Sequence, residues 1–189
     1  MAANIPSDKT YFKTTVFETW KARIPWLLLL MVSATFTGMI ITSFEDALAA
    51  YTVLTAYIPM LMDTGGNSGG QASVTIIRAL SLEEIEFSDI FRVIWKESRV
   101  AILCGLTLSI CNFVKLLLFD RVTVQVALVV CITLAVTVLM AKIIGCTLPI
   151  LAKKIGFDPA VMASPFITTI VDAISLIVYF RVASIFLGI

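Results

Sequence analysis

The chain has 189 residues, 59% of them hydrophobic and 14% charged, with 14 Lys and Arg against 13 Asp and Glu, and its mean hydropathy is +1.00. It is too apolar for a soluble domain and too short for two large ones, and a net charge of +1 gives no reason to expect a nucleic-acid partner. These figures describe an all-α integral membrane protein.

Residues 1–23 are polar with interleaved aromatics. Phe12, Val16, Trp20 and Arg23 recur at helical spacing beside Lys9, Lys13 and Lys21, which predicts an amphipathic lead-in helix at the membrane interface. Polar residues at the very start argue against a cleavable signal peptide. Residues 24–44 carry no charge and, at about 1.5 Å per residue, cover the roughly 30 Å hydrocarbon core, so they form the first transmembrane helix.

Glu45 and Asp46 make a turn, and a second span covers 47–80. That length exceeds one straight crossing, so a steep tilt or a break near Pro59 or the following glycines is expected. Residues 81–99 return to the interface, with Ser81 and Glu84 in a capping-box pattern and an amphipathic face at Ile90, Phe91, Ile94 and Trp95. A third span at 100–119 holds Lys115 near one end, and a fourth at 122–144 holds Lys142 near the other. Both lysines are placed to snorkel to a surface. The turn between them is Asp120 and Arg121, and the fifth span is 159–186.

Five crossings put the termini on opposite sides. With the N-terminus cytoplasmic, 11 of the 14 basic residues lie inside, leaving Lys115, Arg121 and Arg181 outside. The positive-inside bias favours that orientation, with an extracytoplasmic C-terminus and the plasma membrane as location. Acids at both outer turns, Glu45, Asp46 and Asp120, would gather cations. The four cysteines lie in apolar stretches without a CxxC pair, and the chain has no histidine. They read as small buried hydrophobes.

The second span carries the chemistry. Asp63, Asn67 and Gln71 fall at helical spacing on one face, and Gly66 and Gly70 lie four apart on a neighbouring stripe, where a glycine lets a backbone approach or opens carbonyls to a lumen. A packing seam would explain the glycines but not a carboxylate at membrane depth, which is costly and by default functional. In the fifth span Ser164, Thr168 and Asp172 share a face, and Pro165 frees the carbonyl of Val161. This all-oxygen set, without His or Cys, suits a hard cation such as Mg²⁺. Two acids are too few for a ring, so a homodimer with a pore at the twofold interface is expected.

Three stretches resemble the membrane domain of the MgtE magnesium channel family, related to animal solute-carrier magnesium transporters. They are Ile24, Pro25, Trp26 and Leu27 at the first span, the run from Asp63 to Gln71 in the second, and Asp158, Pro159 and Ala160 followed by the run from Ser164 to Asp172 in the fifth. The resemblance implies a homodimer of five-helix protomers with the second and fifth helices lining the pore. It further implies hydrated Mg²⁺ at the level of Asp172 and pore contacts at Asp63, Gly66, Gly70, Ser164 and Thr168. Asp63 and Ser164 stand where a glycine and an asparagine occur in a family member. Such proteins usually carry cytoplasmic magnesium-sensing domains, including a paired CBS module, ahead of the first span. A chain with some 20 residues there reads either as a naturally short form or as the membrane part of a longer protein.

The expected function is channel-like Mg²⁺ uptake driven by the electrochemical gradient, with Asp172, Asp63, Gly66, Asn67, Gly70, Ser164 and Thr168 as the metal-contacting residues. No Walker-type phosphate loop is present, and a divalent cation gains about 4.6 kcal/mol per 100 mV on entering. Na⁺- or H⁺-coupled exchange is the alternative. A more distant one is an intramembrane aspartyl protease, since Asp63, Thr64 and Gly65 spell that tripeptide and two aspartates can share a proton. No enzymatic activity is expected.

Overall fold

A computed structural model describes residues 11–188, with the side chains at 11 and 160–165 outside that description. Among the described residues there are six α-helices, short 3₁₀ turns and no strand.

The expected lead-in and first span form one element, α1 (Val16–Ser43). Thr15 caps it: its Oγ1 accepts from the Glu18 amide at 3.2 Å while the Glu18 carboxylate accepts from the Thr15 amide at 2.9 Å, so two orphan donors are satisfied reciprocally. Residues 1–10, the start of that predicted lead-in, lie outside the described residues. No residue of α1 is buried. Its large apolar side chains, Leu27, Met31 and Phe36 among them, present a surface compatible with hydrocarbon rather than water. It leans on the bundle through Trp26, edge-on to Phe166 at 5.7 Å, and through Phe44, stacked on Phe180 at 4.5 Å.

The long stretch after Phe44 is not one helix. A short α2 (Glu45–Ala50) and a 3₁₀ segment (Thr52–Tyr57) precede α3 (Ile58–Ser81). Pro59 sits in the first turn of α3, where its missing N–H forfeits no helical bond, and the glycine run that follows is continuous helix.

Ser81 does not cap the next element. It closes α3, donating its hydroxyl to the Ile77 carbonyl at 2.9 Å, and the capping box found there joins Glu86 and Asp89. The helix reaches this far because Ile76 and Leu80 continue its apolar stripe into a cluster with Val93, Cys146 and Ile150. Glu83 then takes φ 57° to turn the chain, and α4 spans Ile90–Leu118.

The next turn is pinned by Asp120. Its carboxylate accepts from Lys115 Nζ at 2.6 Å and from the Tyr57 hydroxyl at 3.1 Å, tying the end of α4 to the segment that leads into α3. Arg121 adopts φ 51°.

Thr123 caps α5 (Val124–Lys154), accepting from the Val126 amide. This helix is the hub: α3, α4 and α6 (Pro159–Leu187) all pack on it. The expected surface role of Lys142 is overturned, since it is only 5% exposed. The helix continues three turns beyond it to Lys154, carried by Ile143, Ile144, Cys146, Leu148 and Ile150, so Lys142 is far from the end where snorkelling is possible.

By length and composition α1, α4, α5 and most of α6 can cross a membrane. The helix α3 does not meet that standard because its polar residues dilute its apolar ones. It is a two-faced helix, with Ile58, Leu61, Gly65, Ala72 and Ile76 buried and a polar stripe on the other side.

Candidate functional site: a carboxylate-lined groove between α3 and α6

The glycines of α3 divide into two pairs. Gly65 and Gly69 face the packing: a Cβ on Gly65 would lie 2.7 Å from Val171 Cγ1 and 2.8 Å from Thr137 Cγ2, and one on Gly69 would lie 2.6 Å from Ile167 Cγ2. With no side chain at either position, α3 settles closely against α5 and α6. Gly66 and Gly70 turn the other way. A Cβ on Gly66 would meet Thr168 Cγ2 at 3.3 Å, and one on Gly70 would meet nothing within 4 Å.

These contacts fix the register of α3 on α6. Gly65 faces Val171 and Ser175, Gly66 faces Thr168, and Gly69 faces Ile167, so the two helices run antiparallel. Asp63 and Asp172 are each about one turn from the contact of Gly66 with Thr168, displaced in the same direction. The carboxylates therefore come to similar heights on facing helices.

Between the helices lies an open groove of about 1240 Å³, lined by Asp63, Gly66, Asn67, Gly70, Thr168 and Asp172 and, further along α3, by Gln71, Ser73, Thr75 and Arg78. Six of the seven expected site residues are thus brought to one surface. The side chain of Ser164, the seventh, lies outside the described residues, as do those of Pro165 and Val161 that accompanied it.

Asn67 Nδ2 donates to Asp63 Oδ2 at 3.0 Å, the bond that spacing of four on one helix face permits, so one carboxylate oxygen is held by a neutral donor. Asp172 is half-buried and has no ion pair among the described residues. The Ser73 hydroxyl, on the groove wall, is buried without a hydrogen-bond partner among the described residues. No cluster of three or more His, Cys, Asp or Glu occurs among the described residues. What this wall offers a cation is carboxylate, amide and hydroxyl oxygen, the hard donors that suit such an ion.

Four polar groove residues fall outside the metal-contacting set expected from the sequence: Gln71, Ser73, Thr75 and Arg78. The signal was available, because Thr75 and Arg78 simply prolong the stripe of Asn67 and Gln71 by one and two turns.

Apolar helices of membrane-crossing length together with a polar, acid-lined groove define a multi-pass helical membrane protein. The family model MgtE, described as a divalent cation transporter, matches residues 58–182. The chain belongs to the MgtE family. It is 36% identical over 186 residues to the magnesium transporter MgtE of Thermus thermophilus, covering 98% of this chain and 41% of that protein. To the magnesium transporter MgtE of Bacillus subtilis it is 34% identical over 176 residues, covering 93% and 39%, and to that of Enterococcus faecalis 28% over 165 residues, covering 87% and 36%. The chain thus spans about two fifths of the length of these relatives. All three relatives are named as magnesium transporters.

Proposed function

We propose that the protein carries Mg²⁺ across the plasma membrane through a channel-like path lined by the α3 and α6 grooves of two copies. In this reading each protomer crosses five times: α1, the unit from α2 through α3, α4, α5 and α6. The N-terminus is cytoplasmic, and the twofold axis brings two pairs of Asp63 and Asp172 around one aqueous route. The magnesium transporters it resembles support the substrate, and the distribution of basic residues supports the orientation.

The observation that carries the proposal is the meeting of Asp63, Asn67, Gly66, Gly70, Thr168 and Asp172 on one groove wall. Its size is consistent with the cargo. Mg²⁺ with water oxygens at about 2.1 Å, each water about 1.4 Å in radius, is roughly 7 Å across. An open groove of about 1240 Å³ has room for the ion with its first hydration shell, which Mg²⁺ gives up reluctantly. The carboxylates then act through water, offsetting confinement without trapping the ion.

Purified protein in liposomes tests this. Mg²⁺ influx that follows an imposed voltage, with no Na⁺ or H⁺ gradient, is the expected result. Flux that requires such a gradient at fixed voltage replaces the channel with a coupled exchanger, and no Mg²⁺ flux in either condition overturns the proposal. Crosslinking between copies across the α3 grooves tests the dimer separately.

A further inference from the structure

The groove has a sign change along its length. The carboxylates of Asp63 and Asp172 line one end, and Arg78, in the last turn of α3, lines the other. Asn67, Gln71 and Arg78 fall within about 20° of one line along α3, which places the guanidinium on the stripe the cation would follow.

Nothing described neutralises that charge. Arg78 is exposed and has no ion pair among the described residues. Of the acids that follow α3 in the chain, Glu83 and Glu86 line a separate cavity with Lys153 and Lys154. Lys153 in turn donates to the Leu80 carbonyl at 2.9 Å, so the end of α3 already has a cationic partner for its free carbonyls. Capping the helix does not require Arg78.

We infer that Arg78 is an electrostatic barrier at the α3 C-terminal end of the path, limiting the rate at which a divalent cation passes by a factor that shrinks as ionic strength rises. The inference rests on the transport reading above. A unit charge roughly 8 Å from a divalent ion in water changes its passage about fivefold at low salt. At about 0.15 M ionic strength, where the Debye length is about 8 Å, the effect falls to about twofold.

The test is Mg²⁺ flux into liposomes of neutral phosphatidylcholine at about 10 mM and about 150 mM ionic strength, for wild type, Arg78→Lys, Arg78→Gln and Arg78→Glu. Arg78→Gln is expected to raise flux about fivefold at low salt and about twofold at high salt, and Arg78→Glu to raise it further. Arg78→Lys, which keeps the charge, is expected to follow the ionic-strength dependence of wild type. A helix-capping role alone would leave that dependence unmoved. Equal or lower flux in both Arg78→Gln and Arg78→Glu overturns the inference while the transport reading stands, as does Arg78→Lys behaving like Arg78→Gln. Absence of Mg²⁺ flux in wild type overturns the transport reading, and the inference with it.

Discussion

Gly145 of α5 lies directly on the backbone of Gly69 in α3, so that a Cβ on Gly145 would collide with the Gly69 carbonyl oxygen. Backbone cannot rotate away as a side chain does, so Gly145→Ala must push the helices apart. The expected loss is about 3 kcal/mol, at the upper end of ordinary overpacking. Gly70→Ala meets no atom within 4 Å and should be neutral or stabilising by up to about 1 kcal/mol, since Ala favours helix. Unfolding of both variants in mixed micelles checks the contrast.

The same seam shows what was legible in the sequence. The helical class, the polar stripe of α3 and the pairing of Asp172 with Thr168 follow from composition and a period of 3.6, and these are local signals. Which glycines pack and which open was not legible. Gly65 with Gly69 and Gly66 with Gly70 are both spaced by four, and only the positions of Val171, Thr137 and Ile167 on other helices separate the pairs. The ends of elements were misread for a related reason. Ser81 has a capping pattern with Glu84, but Ile76 and Leu80 still have Val93 and Ile150 to pack against, so tertiary burial extends α3 past the local stop signal. Lys142 was read as a surface residue because charge alone suggests an end, whereas apolar residues continue on both sides of it.

If Asp172 serves the ion through one water layer or less, its charge is the largest single contribution on the proposed path. Removing a unit charge from a divalent ion about 4 Å away in water costs about 2 kcal/mol, or about 30-fold. Asp172→Asn should therefore lower Mg²⁺ flux about 30-fold with assembly intact. Asp63→Asn should cost less, about fivefold, because Asn67 already engages one oxygen of that exposed carboxylate. Initial rates of influx in liposomes, with size-exclusion profiles as the folding control, check both; wild-type flux in Asp172→Asn would remove it from the path.

At the turn between α4 and α5, the Lys115 ammonium bonded to Asp120 is the main reason that carboxyl titrates below its ordinary value, with the Tyr57 hydroxyl adding to the effect. A folded-state pKa below the unfolded one contributes stability above the unfolded value, about 3.9, and loses it as pH falls through the folded value. Asp120→Asn should thus unfold more easily than wild type at pH 7, and the difference should close below about pH 4. Asp120 is exposed, so the shift is expected to be small. Thermal unfolding of both proteins between pH 3 and 7 measures it; a gap that stays constant with pH would mean that packing, not the ion pair, sets it.

The burial of Lys142 calls for a compensating charge. It is 5% exposed within a helix whose neighbours are apolar, and Glu97 of α4 is the acid whose charge reaches the same part of the α4–α5 seam, at Cys146, though the two make no ion pair within 4 Å among the described residues. A charge left alone in such a place is far costlier than either a satisfied pair or an apolar replacement. Glu97→Gln should therefore destabilise by up to about 1 kcal/mol, because the two charges act across the seam without a direct ion pair. Lys142→Met, of similar length and volume, should be close to neutral, and the double variant should recover most of what Glu97→Gln loses. A double-mutant cycle on unfolding free energies reads the coupling directly. Coupling under about 0.5 kcal/mol would show that the two charges do not interact across the helix pair.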